Sequence, residues 1–313
     1  MNILYISARG VLADGYIYKY YGDLYRELRQ LENVYVYEQT ISDINILLDR
    51  YENKIDCIIF GLGYFAQNNS NCYKEISGMK GLSIPKIALI HKPQTMLAEK
   101  LNFCKINDFD LFVDSQITYK KHAEIANCKP VRLPFTASPS IFYPRNVDKI
   151  YDIGFCGAMH GNGKIEGDTR DLRDRVHDKV FKLGHNVFWN GQRLPSDRIG
   201  SVEDYATKIN QSKIWLSTTG PTLDVSPRYF EAMLSKALLC CNSMPYQYEN
   251  IFIDEVNCIM FENDLSDFDE KINYYLNNDE ERNKIIENAY DMAINKYTWE
   301  HMAKKLIKEI GEI

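Results

Sequence analysis

The sequence predicts an α/β protein with two doubly wound parallel sheets, one in each half of the chain. Short runs rich in β-branched and aromatic residues alternate with longer segments whose apolar residues recur at helical spacing. This alternation occurs twice, and a proline-rich stretch without periodicity separates the two sets. The length of 313 residues is about twice that of a typical single domain, which agrees with two domains.

In the first half, six candidate strands alternate with four candidate helices. The strands are expected at 2–7, 33–38, 55–61, 86–91, 109–114 and 129–133, and the helices at 16–31, 43–53, 94–105 and 116–126. An alternation of strands and helices builds a parallel sheet with helices on its faces. We therefore expect a complete Rossmann-like domain over residues 1–135.

A stretch rich in proline follows the first half. Residues 133–144 contain three prolines and no strand or helix periodicity. Proline removes a backbone donor and restricts the residue before it, so such a stretch interrupts regular structure. We therefore predict a linker over 136–150.

The alternation of strands and helices restarts after the linker. Strands are expected at 151–156, 185–190, 213–218, 237–242 and 256–261, and helices at 169–183, 202–211, 227–235 and 266–277. Two more helical segments, 279–296 and 298–310, follow without another strand. The pattern predicts a second Rossmann-like domain over 151–296 and a C-terminal helical segment over 297–313 that is free to pack back on the first domain.

Charge excludes one broad class of function. The chain has 37 Lys and Arg against 43 Asp and Glu, a formal net charge of −6. General nucleic-acid binders need excess positive charge for the phosphate backbone, so we expect no general nucleic-acid binding.

Hydropathy and cysteine spacing predict the compartment. The longest uncharged apolar stretch, Cys57 to Ala66, is much shorter than the about 20 residues that span a bilayer, so no transmembrane segment is expected. The first residues have the pattern of a strand rather than of a signal peptide. The eight cysteines form no C-x-x-C pair, which predicts reduced thiols, no structural zinc and a cytoplasmic protein.

The loops that follow the strands are the expected ligand sites, because parallel sheets bind ligands beyond the carboxyl ends of their strands. In the second half, Gly154, Gly157, Gly161 and Gly163 surround the end of the first strand. Glycine lets the backbone approach a ligand, and backbone N–H groups can hold phosphate oxygens. The stretch lacks a P-loop pattern, and Trp189-Asn190-Gly191 stands where an NAD site would have an acidic residue. NAD binding and ATP hydrolysis are therefore disfavoured, while a glycine loop without a ligand stays open.

The segment Ser226-Pro227-Arg228-Tyr229-Phe230-Glu231 predicts an anion site at a helix start. Ser226 is a favourable N-cap and Pro227 a favourable first helical residue, so Arg228 falls in the first turn. There its guanidinium and the helix dipole favour a phosphate. Glu231 lies one turn farther on the same face, where a carboxylate can accept both hydroxyls of a ribose. A solvated Arg–Glu pair has the same spacing and is the alternative.

The run Arg228–Met233, followed by the apolar segment Ala237–Asn242, resembles the signature of nucleotide-sugar glycosyltransferases with the GT-B fold, notably the spore-maturation-type group (group 1). Asp152–Gly157 is similar to the start of that group's donor domain, and Tyr297–Glu300 resembles its C-terminal cross-over helix. The DNA-modifying β-glucosyltransferase of T-even phages is distantly similar through the second domain. The resemblance covers about residues 150–310, and the first domain only in architecture.

This resemblance implies two Rossmann-like domains facing a cleft, with the acceptor on the first and the donor on the second. The implied reaction moves a sugar from a UDP- or GDP-type nucleotide diphosphate sugar to a hydroxyl of a glycan, protein or small molecule. GT-B enzymes use cationic side chains, so no cofactor and no metal are expected. A nucleotide-sugar epimerase of the same fold and a non-catalytic nucleotide-sugar-binding homologue are the alternatives.

The resemblance also assigns roles to residues of the second domain. The implied donor-binding residues are Gly157, His160, Arg170, Arg173, Asn190, Asp224, Arg228 and Glu231. In these roles Glu231 holds the donor ribose, Arg228 contacts the diphosphate and Asn190 lies near the nucleobase. An insertion over 161–168 leaves open which of Arg170 and Arg173 matches the family's diphosphate-binding arginine. A second carboxylate of the wider group falls at Leu223 here, with Asp224 beside it.

Two residues of the first domain are candidates for the base that deprotonates the acceptor. His91 follows a predicted strand, and an imidazole titrates near neutral pH. Asp14, in the loop after the first strand, is the rival. A hydrogen-bonded structural histidine is the alternative interpretation of His91.

Two D-x-D triplets, 108–110 and 267–269, have the spacing of a metal-binding motif. The first precedes a predicted strand, whereas a metal-binding triplet should follow one. The second lies at a predicted helix start, where acidic residues favour the dipole. Both are therefore interpreted as structural.

Overall fold

The computed structural model describes residues 1–8, 16–39, 41–52, 54–92, 95–159, 170–192, 194–220 and 223–313. For residues 16–22, 170–171, 195 and 247 it describes only the backbone. Three predicted site residues are affected: Asp14 and His160 lie outside the described residues, as does the side chain of Arg170.

The described residues form eleven strands and eleven α-helices. The strands are β1 (Asn2–Ile6), β2 (Asn33–Tyr37), β3 (Cys57–Phe60), β4 (Lys86–Leu89), β5 (Leu111–Asp114), β6 (Lys129–Arg132), β7 (Tyr151–Ala158), β8 (Val187–Gln192), β9 (Ser212–Ser217), β10 (Leu238–Asn242) and β11 (Ile259–Phe261). The helices are α1 (Tyr16–Leu31), α2 (Asn45–Arg50), α3 (Leu62–Phe65), α4 (Leu97–Ile106), α5 (Tyr119–Ala126), α6 (Arg170–Lys182), α7 (Val202–Asn210), α8 (Arg228–Leu234), α9 (Phe268–Asn277), α10 (Asp279–Lys296) and α11 (Trp299–Gly311). Within the described ranges, no helix has the length and apolar character to cross a membrane.

The chain forms two compact units. The first comprises Met1–Pro134 together with Trp299–Ile313, and the second comprises Phe135–Thr298. Helix α11 therefore belongs to the first unit, where it packs against α1. Within that unit Lys305 Nζ donates to the carbonyl of Arg132 at 2.9 Å, and Lys129 pairs with Glu309 at 3.2 Å.

The first unit is built on a six-stranded sheet in the order β2-β1-β3-β4-β5-β6. Every strand pair in it is parallel. Strands β3, β4 and β5 are buried along their whole length because helices cover both faces of the sheet. Their sequences are accordingly mostly apolar and without alternation, as in Cys57-Ile58-Ile59-Phe60, apart from Lys86 at the start of β4 and Asp114 at the end of β5.

The second unit is built on a five-stranded sheet in the order β11-β10-β9-β7-β8. All of its pairs are parallel as well. From β7 the chain forms β8 on one side and then β9 on the other, so the strand order reverses between β7 and β9. The α/β class and the two doubly wound sheets predicted from the sequence are thereby confirmed.

The segment predicted as a linker contains neither helix nor strand in its described residues, all of 136–150, apart from an isolated bridge at Ala137. It is nevertheless attached to the second unit. The ring of Phe142 packs on that of Tyr205, and the Arg145 amide donates to Asn210 Oδ1 at 2.7 Å. Its prolines therefore exclude regular structure without making it independent of the second unit.

Gly154 in β7 is required by the packing of Trp215. The indole is fully buried in the neighbouring strand, and a Cβ on Gly154 would lie 2.5 Å from it and 2.3 Å from Ser212 Oγ. We expect Gly154→Ala to lower the free energy of unfolding by about 1–3 kcal/mol, the usual cost of overpacking a core. Urea unfolding measures this. Gly200→Ala is the matched control, since a Cβ there meets no atom within 4 Å, and equal stability of both variants would contradict the prediction.

Candidate functional site

The reversal of strand order between β7 and β9 defines the expected ligand position in the second unit. Gly157 and Ala158 end β7, and Thr218 and Thr219 follow β9. The next helix, α8, begins at Arg228. Gly157 therefore lies near the end of the strand on one side of the reversal. Arg228 begins the helix that follows the strand on the other side.

Helix α8 begins one residue later than the sequence predicted. Pro227 occupies the N-cap position with helical dihedrals, and no side chain caps the helix. Because Pro227 is already helical, Ser226 still stands directly before the helix, but its side chain does not form the expected cap hydrogen bond. Ser226 Oγ is buried, and no described residue forms a hydrogen bond with it. Helix α8 has only seven residues, about two turns, so its dipole is small. The positive charge at its start therefore comes mainly from the side chain of Arg228.

The guanidinium of Arg228 lies beside the end of β7. A Cβ on Gly157 would be 3.6 Å from Arg228 Cζ and 3.1 Å from Phe155 Cζ. The absence of a side chain at Gly157 leaves the space in which the guanidinium approaches the strand. The structure thus brings together two residues, Gly157 and Arg228, that the sequence assigned to the same site.

Glu231 is fully buried one turn after Arg228. Its Oε2 accepts a hydrogen bond of 2.6 Å from the hydroxyl of Tyr205, which is itself 2% exposed on α7. Burying a carboxylate is costly unless hydrogen bonds compensate for lost water. A solvated surface pair of Arg228 and Glu231, the alternative interpretation of their spacing, does not fit this burial.

Arg173 connects the ends of the two central strands. It is 4% exposed, its Nε donates to Thr218 Oγ1 at 2.7 Å and its Nη1 donates to the carbonyl of Ala158 at 2.6 Å. Burial, and then the charge of Arg228, lower the pKa of Arg173 to about 9. These contacts fix the loops that follow β7 and β9. A direct contact of Arg173 with a diphosphate stays a prediction. The positive charges of Arg173 and Arg228 repel each other, so a bound anion would stabilise both guanidinium groups.

Asn190 has its side chain engaged at the end of β8. Its Nδ2 donates to the carbonyl of Asp197 at 3.0 Å, and its Oδ1 accepts from Gln192 Nε2 at 2.9 Å. Gln192 Nε2 also lies 3.1 Å from Cys156 Sγ, whose pKa burial raises to about 12, so that thiol is neutral. Asn190 therefore anchors the loop after β8, and its proximity to a nucleobase stays a prediction.

The loop before α8 is held by backbone and side-chain contacts. The amide of Gly220 donates to the carbonyl of Asp224 at 2.8 Å, and Leu223 has a positive φ of 60°. Asn242, at the end of β10, accepts from the amide of Thr219 at 2.9 Å. Left-handed backbone at a leucine costs about 1–2 kcal/mol, so the surrounding contacts must hold this turn in place.

Three residues that support this site were not predicted from the sequence: Tyr205, Thr218 and Asn242. Each acts on a residue at least 23 positions away, as Tyr205 does on Glu231 and Asn242 does on Thr219. The buried position of Tyr205 on α7 was visible as helical periodicity, but its hydrogen-bond partner was not. Tertiary contacts of this kind leave no local signal in a single sequence.

His91, the first candidate for the catalytic base, follows β4 in the first unit. Burial, and then the charges of Lys92 and Lys100, lower the pKa of His91 to about 3. The imidazole is therefore neutral at pH 7, but a base with so low a pKa accepts a proton weakly. The assignment of His91 as base stays a prediction, and this electrostatic environment counts against it.

Lys100 holds the loop that contains His91. Its ammonium donates to the carbonyls of His91 at 2.8 Å and Lys92 at 3.0 Å, and the residue is 1% exposed. Burial, and then the charge of Lys92, lower the pKa of Lys100 from 10.5 to about 8. The backbone of the His91 loop therefore depends on a buried lysine.

A pH dependence of stability follows from Lys100. Between pH 8 and pH 10.5 the unfolded chain retains a proton on Lys100 that the folded chain has lost. The free energy of unfolding of the wild type should therefore rise with pH across this window relative to that of Lys100→Met. Urea unfolding at several pH values measures the difference. Lys80→Met, which removes an exposed lysine, is the matched control for the loss of a positive charge, and a constant difference for Lys100→Met would contradict the assignment.

Carboxylates of both D-x-D triplets have contacts within the protein. Asp110 Oδ2 accepts from the amide of Lys86 at 2.7 Å just before β5, and Asp108 Oδ2 accepts from the amide of Gly81 at 3.1 Å. Asp267 pairs with Lys271 at the start of α9 at 3.2 Å. Among the residues the structure describes, no group of three or more His, Cys, Asp or Glu is arranged to hold a metal ion.

Comparison with known protein families finds one match. Residues 168–308 match the family described as glycosyl transferase-like. The matched range includes α8 and every described site residue of the second unit except Gly157. No curated protein matches the chain.

Solved structures of glycosyltransferases share the fold of the whole chain. Alr3699/HepE from Anabaena in complex with UDP-glucose has a TM-score of 0.58 at 12% identity and covers 100% of both chains. A glycosyltransferase from Rickettsia africae has a TM-score of 0.63 at 13% identity, covering 99% of this chain and 98% of the other. The DNA-modifying β-glucosyltransferase has a TM-score of 0.60 at 12% identity and covers 100% of both chains. The predicted resemblance to GT-B glycosyltransferases is confirmed.

Proposed function

We propose that this chain, which has the GT-B fold and a glycosyl transferase-like second unit, moves a sugar from a nucleoside diphosphate donor to a hydroxyl of an acceptor. One observation carries the proposal. Glu231 is buried and held by Tyr205 one turn after Arg228, whose guanidinium lies against Gly157 at the reversal of strand order. A carboxylate and a guanidinium so placed match the two polar parts of a nucleoside diphosphate.

Each of the two side chains has a distinct role in this proposal. The carboxylate of Glu231 accepts hydrogen bonds from the ribose hydroxyls, which are donors that a phosphate lacks. The guanidinium of Arg228 binds the diphosphate, which gains negative charge as the bond to the sugar breaks. Stabilising that leaving group lowers the barrier of transfer. Arg173 supports both roles by fixing the loops after β7 and β9.

A UDP-type donor is the first choice within this proposal. HepE has been crystallised with UDP and with UDP-glucose, and an α-glucosyltransferase with a TM-score of 0.61 has been crystallised with UDP-glucose and DNA. These proteins support a uridine donor here, with GDP sugars as the second choice.

We further propose that no metal ion or other cofactor takes part, because Arg228 supplies positive charge at the diphosphate. Turnover that is unchanged by EDTA is the expected result, and turnover that needs added Mg²⁺ or Mn²⁺ would contradict it. The eight free cysteines, all in the described part of the chain, suit a reducing compartment, and we propose the cytoplasm as the location.

Thermal unfolding with a panel of nucleotides tests donor binding. A ligand at 100 times its Kd stabilises the folded state by about 2.7 kcal/mol, which raises Tm by a few degrees. We expect UDP and one UDP sugar, or the GDP pair, to raise Tm, and TDP, CDP, NAD and ATP to have no comparable effect. No shift with any nucleoside diphosphate would overturn the proposal.

Turnover of the donor separates the alternatives. An epimerase would convert the nucleotide sugar without releasing the nucleoside diphosphate. A non-catalytic homologue would bind the nucleotide sugar and leave it unchanged. Release of nucleoside diphosphate together with a new glycoside is the result that transfer predicts.

A further inference from the structure

We infer that Tyr205 is a positioning residue of the donor site, whose hydroxyl sets the orientation of the Glu231 carboxylate and thereby the preference of the site for a ribonucleotide. This inference rests on the proposed binding of the donor ribose by Glu231. It adds to that proposal the residue on which ribose selectivity depends and the segment of chain that holds this residue in place.

The plane of the Glu231 carboxylate is not fixed by its own side chain. Rotation about the last bond of a glutamate side chain has no sharp staggered minima, because it joins an sp³ carbon to an sp² carbon. Glu231 is fully buried, and its Oε2 accepts from the Tyr205 hydroxyl at 2.6 Å, a distance typical of a hydrogen bond to a charged oxygen. This bond holds the carboxylate in one plane, and it favours the charged form that accepts from ribose hydroxyls.

Two aromatic rings hold Tyr205 itself. Its ring, on α7, lies 5.9 Å from that of Phe142 and 5.9 Å from that of Trp215, measured between centroids. The interplanar angles are 78° and 61°, the edge-on arrangement that aromatic pairs prefer. Phe142 and Trp215 are buried as well, and they belong to different parts of the second unit, the segment 136–150 and strand β9. A ring packed in this way leaves its hydroxyl little freedom, as a positioning residue requires.

The segment 136–150 is bound to α7 directly after Phe142. The amide of Arg145 donates to Asn210 Oδ1 at 2.7 Å, and Asn210 Nδ2 donates back to the carbonyl of Tyr143 at 3.1 Å. Asn210 is the last residue of α7 and is itself buried. The segment predicted as a linker therefore contributes to the donor site through the tyrosine on α7, although none of its residues was assigned to that site.

A carboxylate held in one plane distinguishes donors by their hydroxyls. Ribose offers two neighbouring hydroxyl donors, and two oxygens in fixed positions accept best from two donors of matching spacing. A carboxylate that rotates loses this advantage. Because the ribose does not take part in the bond that breaks, its contact stabilises the bound donor and the transition state equally. The Tyr205 hydroxyl should therefore affect the KM for the donor and leave kcat unchanged.

Tyr205→Phe tests the inference, because it removes the hydroxyl and keeps the ring that packs on Phe142 and Trp215. Calorimetric titration with UDP, or with GDP where that nucleotide raises Tm, should show binding about 3- to 10-fold weaker than in the wild type, the range of one hydrogen bond. The 2′,3′-dideoxy nucleotide should bind both proteins equally. The KM for the donor should rise by the same factor as Kd, with kcat unchanged.

A double variant shows whether the hydroxyl acts through the carboxylate. Tyr205→Phe combined with Glu231→Gln should bind the ribonucleotide about as weakly as Glu231→Gln alone, because the two residues act as one unit. Tyr151→Phe is the matched control, since the Tyr151 hydroxyl accepts from Lys208 Nζ at 3.2 Å and has no site residue as its partner there. This control should bind the ribonucleotide as the wild type does.

A change of ring packing tests the contribution of the segment 136–150. Phe142→Leu keeps an apolar side chain and removes the aromatic ring that packs on Tyr205. We expect Phe142→Leu to weaken binding of the ribonucleotide and to leave binding of the dideoxy nucleotide unchanged. Val147→Ala alters an exposed residue of the same segment and should bind both nucleotides as the wild type does. Wild-type affinity in Phe142→Leu would remove the segment from the inference.

The outcomes separate this inference from the proposed function. If neither UDP nor GDP binds the wild type, the proposed function itself fails. If one of them binds and Tyr205→Phe retains the wild-type affinity, the inference is wrong and the donor proposal stands. The same holds if Tyr205→Phe loses affinity for the ribo and the dideoxy nucleotide by the same factor, because Tyr205 is then only a structural contact between α7 and α8.

Discussion

Glu231→Gln is expected to lower the affinity for the donor nucleotide by about 10- to 100-fold. Hydrogen bonds to a charged group contribute about 1.5–3 kcal/mol, and each 1.4 kcal/mol is a factor of ten in Kd. Glutamine keeps the size of the side chain and an oxygen that can accept from Tyr205, so the change removes mainly the charge. Isothermal titration calorimetry with UDP, or with GDP if that is the nucleotide that binds, measures the loss.

A nucleotide without ribose hydroxyls shows whether Glu231 acts on the ribose. The 2′,3′-dideoxy nucleotide should bind wild type and Glu231→Gln equally weakly, because the partner of the carboxylate is already absent. Glu270→Gln, an exposed carboxylate on α9, is the matched control and should bind as the wild type does. If Glu231→Gln lowered the affinity for the ribo and the dideoxy nucleotide by the same factor, Glu231 would have a structural role and no contact with the ribose.

Arg228→Ala is expected to reduce kcat by about 100- to 1,000-fold, the range seen when one group that stabilises developing negative charge is removed. Arg228→Lys should recover part of the rate, since a lysine keeps the charge but loses the planar pair of donors. The measurement is release of nucleoside diphosphate at saturating donor. Arg175→Ala, an exposed arginine on α6, should keep the wild-type rate. A rate within a few-fold of wild type for Arg228→Ala would contradict the assignment.

The fold was predictable because its signals are local. Buried parallel strands such as β3 and β10 are short, mostly apolar runs, and longer amphipathic segments separate the strands. Helix α3 was missed because its four residues, Leu62–Phe65, are all buried and too short to show a period. It also directly follows β3, so its residues extend the same apolar run.

The site was predictable only in part. Arg228 and Glu231 are close in sequence, and their spacing on a helix was enough to associate them. The burial of Glu231 and its bond to Tyr205 depend on the packing of α7 against α8, which one sequence does not reveal. The same holds for Arg173, whose contacts with Ala158 and Thr218 cross between two strand ends.

The central claim is glycosyl transfer, and the most direct test is the stoichiometry of the reaction. The wild type is incubated with the nucleotide sugar that raises Tm and a panel of acceptors that carry free hydroxyl groups, and the products are followed by NMR. We predict one nucleoside diphosphate released for each new glycosidic bond, with both products absent in Arg228→Ala over the same time. An epimerised nucleotide sugar without released diphosphate, or a donor that is bound and unchanged, would contradict the account.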